Sequence, residues 1–342
     1  MWSRSLAHAL ALVAVLATTV ALPSVAAATF NPNDHFFLEA TSWTIAVLYL
    51  INYVVGAWQN KRVAKQWLDD AEPQLAKQFA YTGATATPPV GLLEESKSNY
   101  KYYCTGRRFC SRFVADLQLL ARHDLFSRVF RLIVGGDDYL TLDIGLNAAD
   151  LDPFIFSVSK KLEYTALTKV FPELITVAKR VPSPNVSDAY CVTTDNVDIP
   201  KVALTKPFQT FLKDLESHLE YIVITDMNTR QIVGIPRSDD KVLRLRFKLW
   251  SGSKKIDSEK AVQFAAYLVD AIGSTMKLSR DAKYSAQKKR AKLQQEKADS
   301  EAEVQRKEKK QKEYESLSYE QQQKLDELNL KKQQRKRVGR KK

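Results

Sequence analysis

An α+β fold of packed helices and a small sheet, carried by one transmembrane helix and extended by a long helical tail, is what this 342-residue sequence predicts. Three observations lead there. Thr41–Trp58 contains no charged residue and is apolar enough to cross a hydrocarbon layer. Between residues 59 and 280, short alternating stretches are interspersed with segments of helical spacing, the pattern of mixed sheet and helix. From Ser274 to Val338 there is neither Gly nor Pro, and Lys, Glu, Gln and Ala dominate, all of them good helix formers.

Residues 1–28 read as a signal peptide. Arg4 gives the basic start, Leu6–Leu22 the apolar middle and Ala26-Ala27-Ala28 a small-residue cleavage site. Left uncleaved, the same leader is long enough to span as a second helix. Residues 29–38 form a short lumenal segment, and 39–58 the transmembrane helix, because roughly 20 apolar residues at about 1.5 Å each cross a bilayer core. Trp43 and Trp58 lie near its ends, where indoles favour the headgroup boundary; with Leu48 and Leu50 they are the expected membrane anchor. Asp34 and Glu39 precede the helix, and Lys61, Arg62 and Lys65 follow it. The excess of Lys/Arg marks the cytosolic side, so the body and the tail are expected in the cytosol whether or not the leader is cleaved. Asn185-Val186-Ser187 matches a glycosylation sequon that on this topology never meets the lumenal transferase.

Within the body, 59–280, apolar residues at Val63, Trp67, Ala71, Leu75 and Phe79 predict one helix face, broken or restarted at Pro73. Tyr81–Leu93, with two Pro and two Gly, reads as a loop. Tyr100–Cys104 reads as a strand ending at Thr105-Gly106. Arg108–Val134 reads as mainly helical, from Phe109, Phe113, Leu117, Leu120, Leu125, Val129 and Leu132. Gly135–Asp138 is a turn, Leu140–Leu146 an alternating half-buried strand and Pro153–Ser159 its partner. Leu162–Lys179 reads as helix interrupted near Pro172, and Val181–Pro200 as a loop. Helix over Pro207–His218, strands over Tyr221–Thr225 and Val242–Leu249, and a closing helix Ser258–Lys277 capped by Ser258 complete the body.

Little in this body asks to be an active site. No Walker-type phosphate loop, His-Glu-x-x-His or Gly-x-Ser-x-Gly occurs. His123 and Asp124 are adjacent on a predicted helix and do not face each other. Cys104, Cys110 and Cys191 are too few and odd in number for a disulfide framework, which fits a reducing compartment; they read as buried structural thiols. A non-enzymatic protein without metal or cofactor is expected.

Charge is concentrated in the tail, 281–342. Of the net +13, residues 283–342 carry +10, from 20 Lys/Arg against 10 Asp/Glu, so an anionic partner is expected there. Glu303/Lys307, Glu308/Lys312, Glu320/Lys324 and Glu327/Lys331 are i,i+4 pairs that support a polar, coiled-coil-like helix, although its few apolar residues keep no strict heptad. About 60 helical residues reach about 90 Å. The chain ends in Lys331, Lys332, Arg335, Lys336, Arg337, Arg340, Lys341 and Lys342, a cluster suited to a phosphate backbone or to anionic lipid.

Tyr103-Cys104-Thr105-Gly106-Arg107 followed by Leu117–Leu125, the strands at Thr141–Asn147 and Phe154–Val158, the Leu219–Asp226 strand, and a closing helix running into a Lys/Glu tail resemble the calumin family of coiled-coil endoplasmic reticulum membrane proteins. The resemblance runs from the membrane helix to the end of the chain. It implies the ribosome-binding subunit of the PAT complex, an intramembrane chaperone that works with the small membrane protein Asterix and joins the Sec translocon while multipass membrane proteins are made. On that reading the protein is single-pass in the endoplasmic reticulum membrane with a lumenal N-terminus. It has no catalytic residue, and Lys331–Lys342 meet ribosomal RNA near the exit tunnel. Family members often carry a long acidic lumenal segment linked to calcium, whereas only Thr29–Leu38 precede the membrane helix here, which speaks against lumenal calcium binding. The alternatives are an endoplasmic reticulum tether whose basic tail binds anionic lipid, and a calcium-homeostasis protein of the same membrane.

Overall fold

The computed structural model describes residues 32–83, 91–147, 149, 151–183, 186–227 and 241–296. The leader, Asn185 and the tail beyond residue 296 lie outside them. The chain divides into two compact units, Met1–Lys283 and Tyr284–Lys342. Helix and sheet are mixed, with one long apolar helix near the N-terminus and helix again from residue 280 to 296.

Among the described residues the first unit opens with α1, Pro32–Gln78, a single 47-residue helix. It is followed by β1 (Tyr81–Thr82), β2 (Leu93–Glu94), β3 (Asn99–Thr105), β4 (Cys110–Gln118), α2 (Leu125–Val134), β5 (Tyr139–Leu146) and β6 (Phe156–Lys160). Next come α3 (Tyr164–Val170), α4 (Glu173–Thr176), β7 (Lys179–Val181), β8 (Tyr190–Thr194), α5 (Asp198–Ala203) and α6 (Lys206–Asp214). The unit continues with β9 (Leu219–Thr225), β10 (Val242–Lys248), the small hairpin β11 (Trp250–Ser251) and β12 (Lys254–Lys255), and α7 (Ser258–Ser274).

Among the described residues the main sheet has ten strands in the order β1-β3-β4-β5-β10-β9-β6-β8-β7, with β2 also on β3. Every pairing is antiparallel. One face carries Phe113, Leu142, Ile144, Ile222 and Leu245 into the main core. The second half of α1, through Trp67, Ala71 and Leu75, and α7, through Phe264 and Leu268, complete that core. Phe264 lies 5.4 Å from Phe208 and 5.2 Å from Phe211 of α6, edge-on to the first and stacked on the second. The opposite face buries a smaller cluster, Ile155, Leu167, Phe171, Leu174, Tyr221 and Val223, under α3 and α4.

Several sequence expectations change. The sheet is larger than the small one predicted. Arg108–Val134 is not one helix: Cys110–Gln118 is strand, and only Leu125–Val134 is helical. Phe113, Ala115 and Leu117 point into the core while Val114 is buried on the other face, so burial on both sides masked the period of two. Pro73 does not break α1. The packing of Trp67, Ala71 and Leu75 around it outweighs a cost of about 3 kcal/mol for a proline inside a helix. Phe156–Lys160 pairs with β8 and β9 rather than with β5, because β10 and β9 stand between them. The Val181–Pro200 loop contains β8 and the start of α5, and the Tyr81–Leu93 loop begins and ends in strand. Leu140–Leu146 is buried on both faces. Asp257, not Ser258, caps α7, its carboxylate accepting from the Lys260 N–H at 3.1 Å. Cys104 and Cys110 are buried free thiols as expected, and Cys191 is half-buried, 3.3 Å from the Ser159 hydroxyl.

One close contact depends on a missing side chain. Phe109, in the left-handed region at φ 66°, turns its ring onto Gly273 of α7, where an added Cβ would lie 2.3 Å from the ring. Gly273→Ala therefore forces the ring or the helix aside and is expected to cost about 1–3 kcal/mol. A lowered thermal midpoint of the detergent-solubilised protein reads it out.

Candidate membrane-proximal site

Within α1, Glu39–Gln78 is the candidate membrane span among the described residues, and only 6% of its most apolar stretch is buried in the protein. The residues expected as the anchor are all exposed: Trp43, Leu48, Leu50 and Trp58 by 71%, 53%, 62% and 60%. Along the same helix Asn52, Gly56 and Asn60 recur every four residues and so share one face. Here the body grips the helix.

The gripping element is the turn between β4 and α2. The Asn52 side-chain amide donates to the Arg122 and His123 carbonyls at 3.4 and 3.1 Å, and the Tyr53 ring meets His123 edge-on at 5.8 Å. Gly56 lets the turn reach the helix backbone; a Cβ there would lie 2.2 Å from the Arg122 carbonyl oxygen. Asn60, fully buried, donates to the Lys97 and Leu120 carbonyls at 2.8 and 2.9 Å and accepts from Arg122 Nη1 at 2.8 Å. Arg122 in turn forks onto buried Asp138, Nη1 to Oδ1 at 3.0 Å and Nη2 to Oδ2 at 2.6 Å, while the Leu120 N–H donates to Asp138 Oδ1 at 2.8 Å. Bidentate pairing of this kind fixes direction as well as distance. Finally, Arg128 of α2 donates to Asn52 Oδ1 at 2.9 Å.

Two residues noted in the sequence serve this junction structurally. His123 packs on Tyr53, and Asp124 caps α2 by accepting from the Ser127 N–H at 3.1 Å; hydrogen bonds from Ser127 hold its carboxyl below the usual range. Gly135, at φ 80°, ends α2 by donating its N–H to the Arg131 carbonyl at 2.8 Å.

A second polar concentration lies on the sheet face opposite the main core. Buried Asp143 accepts from Arg112 at 3.4 Å and from Arg244 Nε at 2.5 Å, and Arg244 sits 5.2 Å over the Phe171 ring. Nearby, Glu220 is paired with Arg246 at 3.2 Å and Lys248 with Asp137 at 2.7 Å. Burial raises the Glu220 carboxyl, and Arg246 partly opposes it. Burial likewise raises Asp116, against a hydrogen bond from Gln118, while the bond to Asp137 raises Lys248. Asp143 with Arg112 and Arg244 is a buried charge cluster stitching strands together, whereas Arg246, Lys248 and Asp137 are half-buried. No group of three or more His, Cys, Asp or Glu suited to a metal occurs among the described residues.

The cluster Lys331–Lys342 lies outside the described residues. The structure therefore bears on the anchor half of the predicted site and adds a junction that sequence reasoning missed. Its signal was present: Asn52 and Asn60 are amides in and beside an uncharged, largely apolar candidate span, where polar groups require partners. Gly56→Leu is expected to undock the Leu120–Asp124 turn at a cost of about 1–3 kcal/mol. Faster amide exchange over residues 119–124, with α7 unchanged, is the measurement.

Comparison with known proteins fits this architecture. An uncharacterized protein of Arabidopsis thaliana is 25% identical over 249 residues, 70% of this chain and 51% of that protein. The PAT complex subunit CCDC47 of Homo sapiens is 26% identical over 149 residues, 42% of this chain and 31% of the relative. The Xenopus laevis protein of that name is 21% identical over 287 residues, 78% and 58% respectively. The chain thus spans from about a third to somewhat over half the length of these relatives. The family model described as PAT complex subunit CCDC47 matches residues 35–336, which takes in nearly all of α1, the sheet and most of the tail, and the chain belongs to that family.

Proposed function

We propose that the protein is a non-enzymatic membrane protein biogenesis factor of the endoplasmic reticulum that binds translocon-engaged ribosomes and assists multipass membrane proteins. The family match over residues 35–336 carries this reading, because it joins the candidate membrane helix, the body and most of the basic tail in one unit of descent. α1 spans the membrane once, with its N-terminus lumenal and the Lys61, Arg62 and Lys65 flank cytosolic. Residues 1–28 are its signal peptide, 29–38 its lumenal segment, 39–58 its membrane span, 59–280 its cytosolic domain and 281–342 its tail. The rigid join of α1 to the body supports a division of labour. The helix meets the small partner Asterix and nascent membrane segments in the bilayer, and the body meets the Sec translocon. Lys331, Lys332, Arg335, Lys336, Arg337, Arg340, Lys341 and Lys342 neutralise ribosomal RNA phosphates near the exit tunnel.

Orientation is tested in sealed microsomes. Added protease is expected to remove the tail, and Asn185 to carry no glycan; a protected tail or a glycosylated Asn185 overturns the topology. Ribosome binding is tested by co-sedimentation over a salt series. With 6–10 phosphate contacts, affinity is expected to fall by about 10³–10⁵ between 50 and 200 mM salt. Deleting Lys331–Lys342 is expected to abolish most of it. Equal sedimentation without that segment, or binding to anionic vesicles and not ribosomes, removes the RNA reading.

A further inference from the structure

α2 is inside out by the standards of a soluble protein. At about 100° per residue, Leu125, Phe126, Val129, Phe130, Leu132, Ile133 and Val134 occupy an apolar arc of about 200°, and Ser127, Arg128 and Arg131 the remaining sector. No residue of the helix is buried. In a water-soluble body the apolar arc faces the core; here Phe126, Phe130, Ile133 and Val134 are exposed by 78%, 63%, 81% and 65%. The polar sector lies nearer the protein, with Ser127 and Arg131 half-buried and Arg128 exposed at its edge. Arg128 reaches Asn52, and Arg128 and Arg131 line a shallow cleft with Gln59, Arg122 and Gly136. Neither arginine has a carboxylate among its described partners, whereas Arg122 is neutralised by Asp138. One nitrogen of Arg131 is buried without a hydrogen-bond partner.

The depth of the helix is set by its attachment. Asn52, which holds both the turn before α2 and Arg128, precedes Trp58 by six residues, or about 9 Å along α1. Interfacial amphipathic helices bury their apolar face by about 5–10 Å at the headgroup boundary, so the start of α2 lies at that depth if α1 spans. The exposed apolar side chains of α1 and the apolar arc of α2 then belong to one lipid-facing surface, and the two arginines extend toward headgroup level as long cations do beside a membrane.

We propose that α2 is an interfacial helix embedded in the leaflet nearest the body, with Phe126, Phe130 and Ile133 among acyl chains and Arg128 and Arg131 beside lipid phosphates. The inference rests on the membrane-spanning reading of α1, and the test separates the two. Single cysteines replace Leu50, Phe130 and Leu162 in turn, in a Cys191→Ser background of the full chain. Cys104 and Cys110 are left in place, because burial pushes their thiols up to about 12 and about 11 and keeps them unlabelled at neutral pH. Each variant is labelled with an environment-sensitive fluorophore and reconstituted alone into phosphatidylcholine vesicles carrying a spin-labelled acyl-chain quencher.

Position 50 on α1 and position 130 are both expected to give blue-shifted emission and to lose most of their intensity to the quencher. Position 162, 92% exposed on the body, is expected to stay water-like and unquenched. Quenching at 50 with water-like emission at 130 overturns the embedded helix alone. Water-like emission at 50 as well overturns the span. A position 130 that turns dry only after a second protein is added, without quenching, assigns the face to that protein and overturns the lipid proposal.

Discussion

Everything in the first unit is arranged around the hold that the β4–α2 turn has on α1. A membrane helix joined to a globular body by a plain linker points the body nowhere in particular. Here the helix is continuous from Pro32 to Gln78, and its two halves have opposite surroundings. The first half carries exposed apolar side chains, while the second drives Trp67, Ala71 and Leu75 into the core. Asn52, Gly56 and Asn60 lie between the two regimes, where an unpaired amide is costly and a close backbone approach is open only to glycine. Asp138 transmits the hold to the sheet, because its carboxylate fixes Arg122 and the Leu120 N–H together.

Asp152 accepts from the Leu278 N–H at 2.8 Å and pairs with Lys283 at 3.0 Å, so the segment after α7 is tied to the body at the point where helix resumes. Ser279 supports that start by accepting from the Ala282 N–H at 3.3 Å. The segment that follows α7 is thus held to the body as far as Lys283.

How much of this could be read in advance depended on how far each segment's pattern was one-sided. The candidate span was legible because a helix packed in a water-soluble body seldom stays uncharged all round for 18 residues. Strands β5, β9 and β10 were found because alternation or β-branched runs survived in them, and β3 because of its aromatic residues. β4 was lost because Phe113 and Val114, on opposite faces, are both buried, which leaves apolar residues at spacings that also suit a helix. β8 was lost between turn residues that made the whole segment look like a loop. Pro73 misled because the rule for proline weighs local hydrogen bonding and cannot see the packing that opposes it. The junction stayed hidden for another reason: its residues come from α1, the β4–α2 turn and the start of β5, and no spacing relates them. α2 was read only as the end of one helix over Arg108–Val134, and nothing in its ten residues tells which medium its apolar arc meets.

The short strands at the sheet margin have a consequence of their own. β1 and β2 are two residues each, and both lie on the outer side of β3: Tyr81 and Thr82 oppose Thr105 and Cys104, and Leu93 and Glu94 oppose Lys101 and Tyr100. Between them the Gly83 N–H donates to the Tyr103 carbonyl at 2.8 Å. At the far margin, β7 presents Lys179 and Arg180 to solvent. An extended peptide arriving at either border meets backbone groups already taken or a pair of cations, which is how β proteins discourage strand addition. Both margins of the sheet are therefore poorly disposed to take up a further strand.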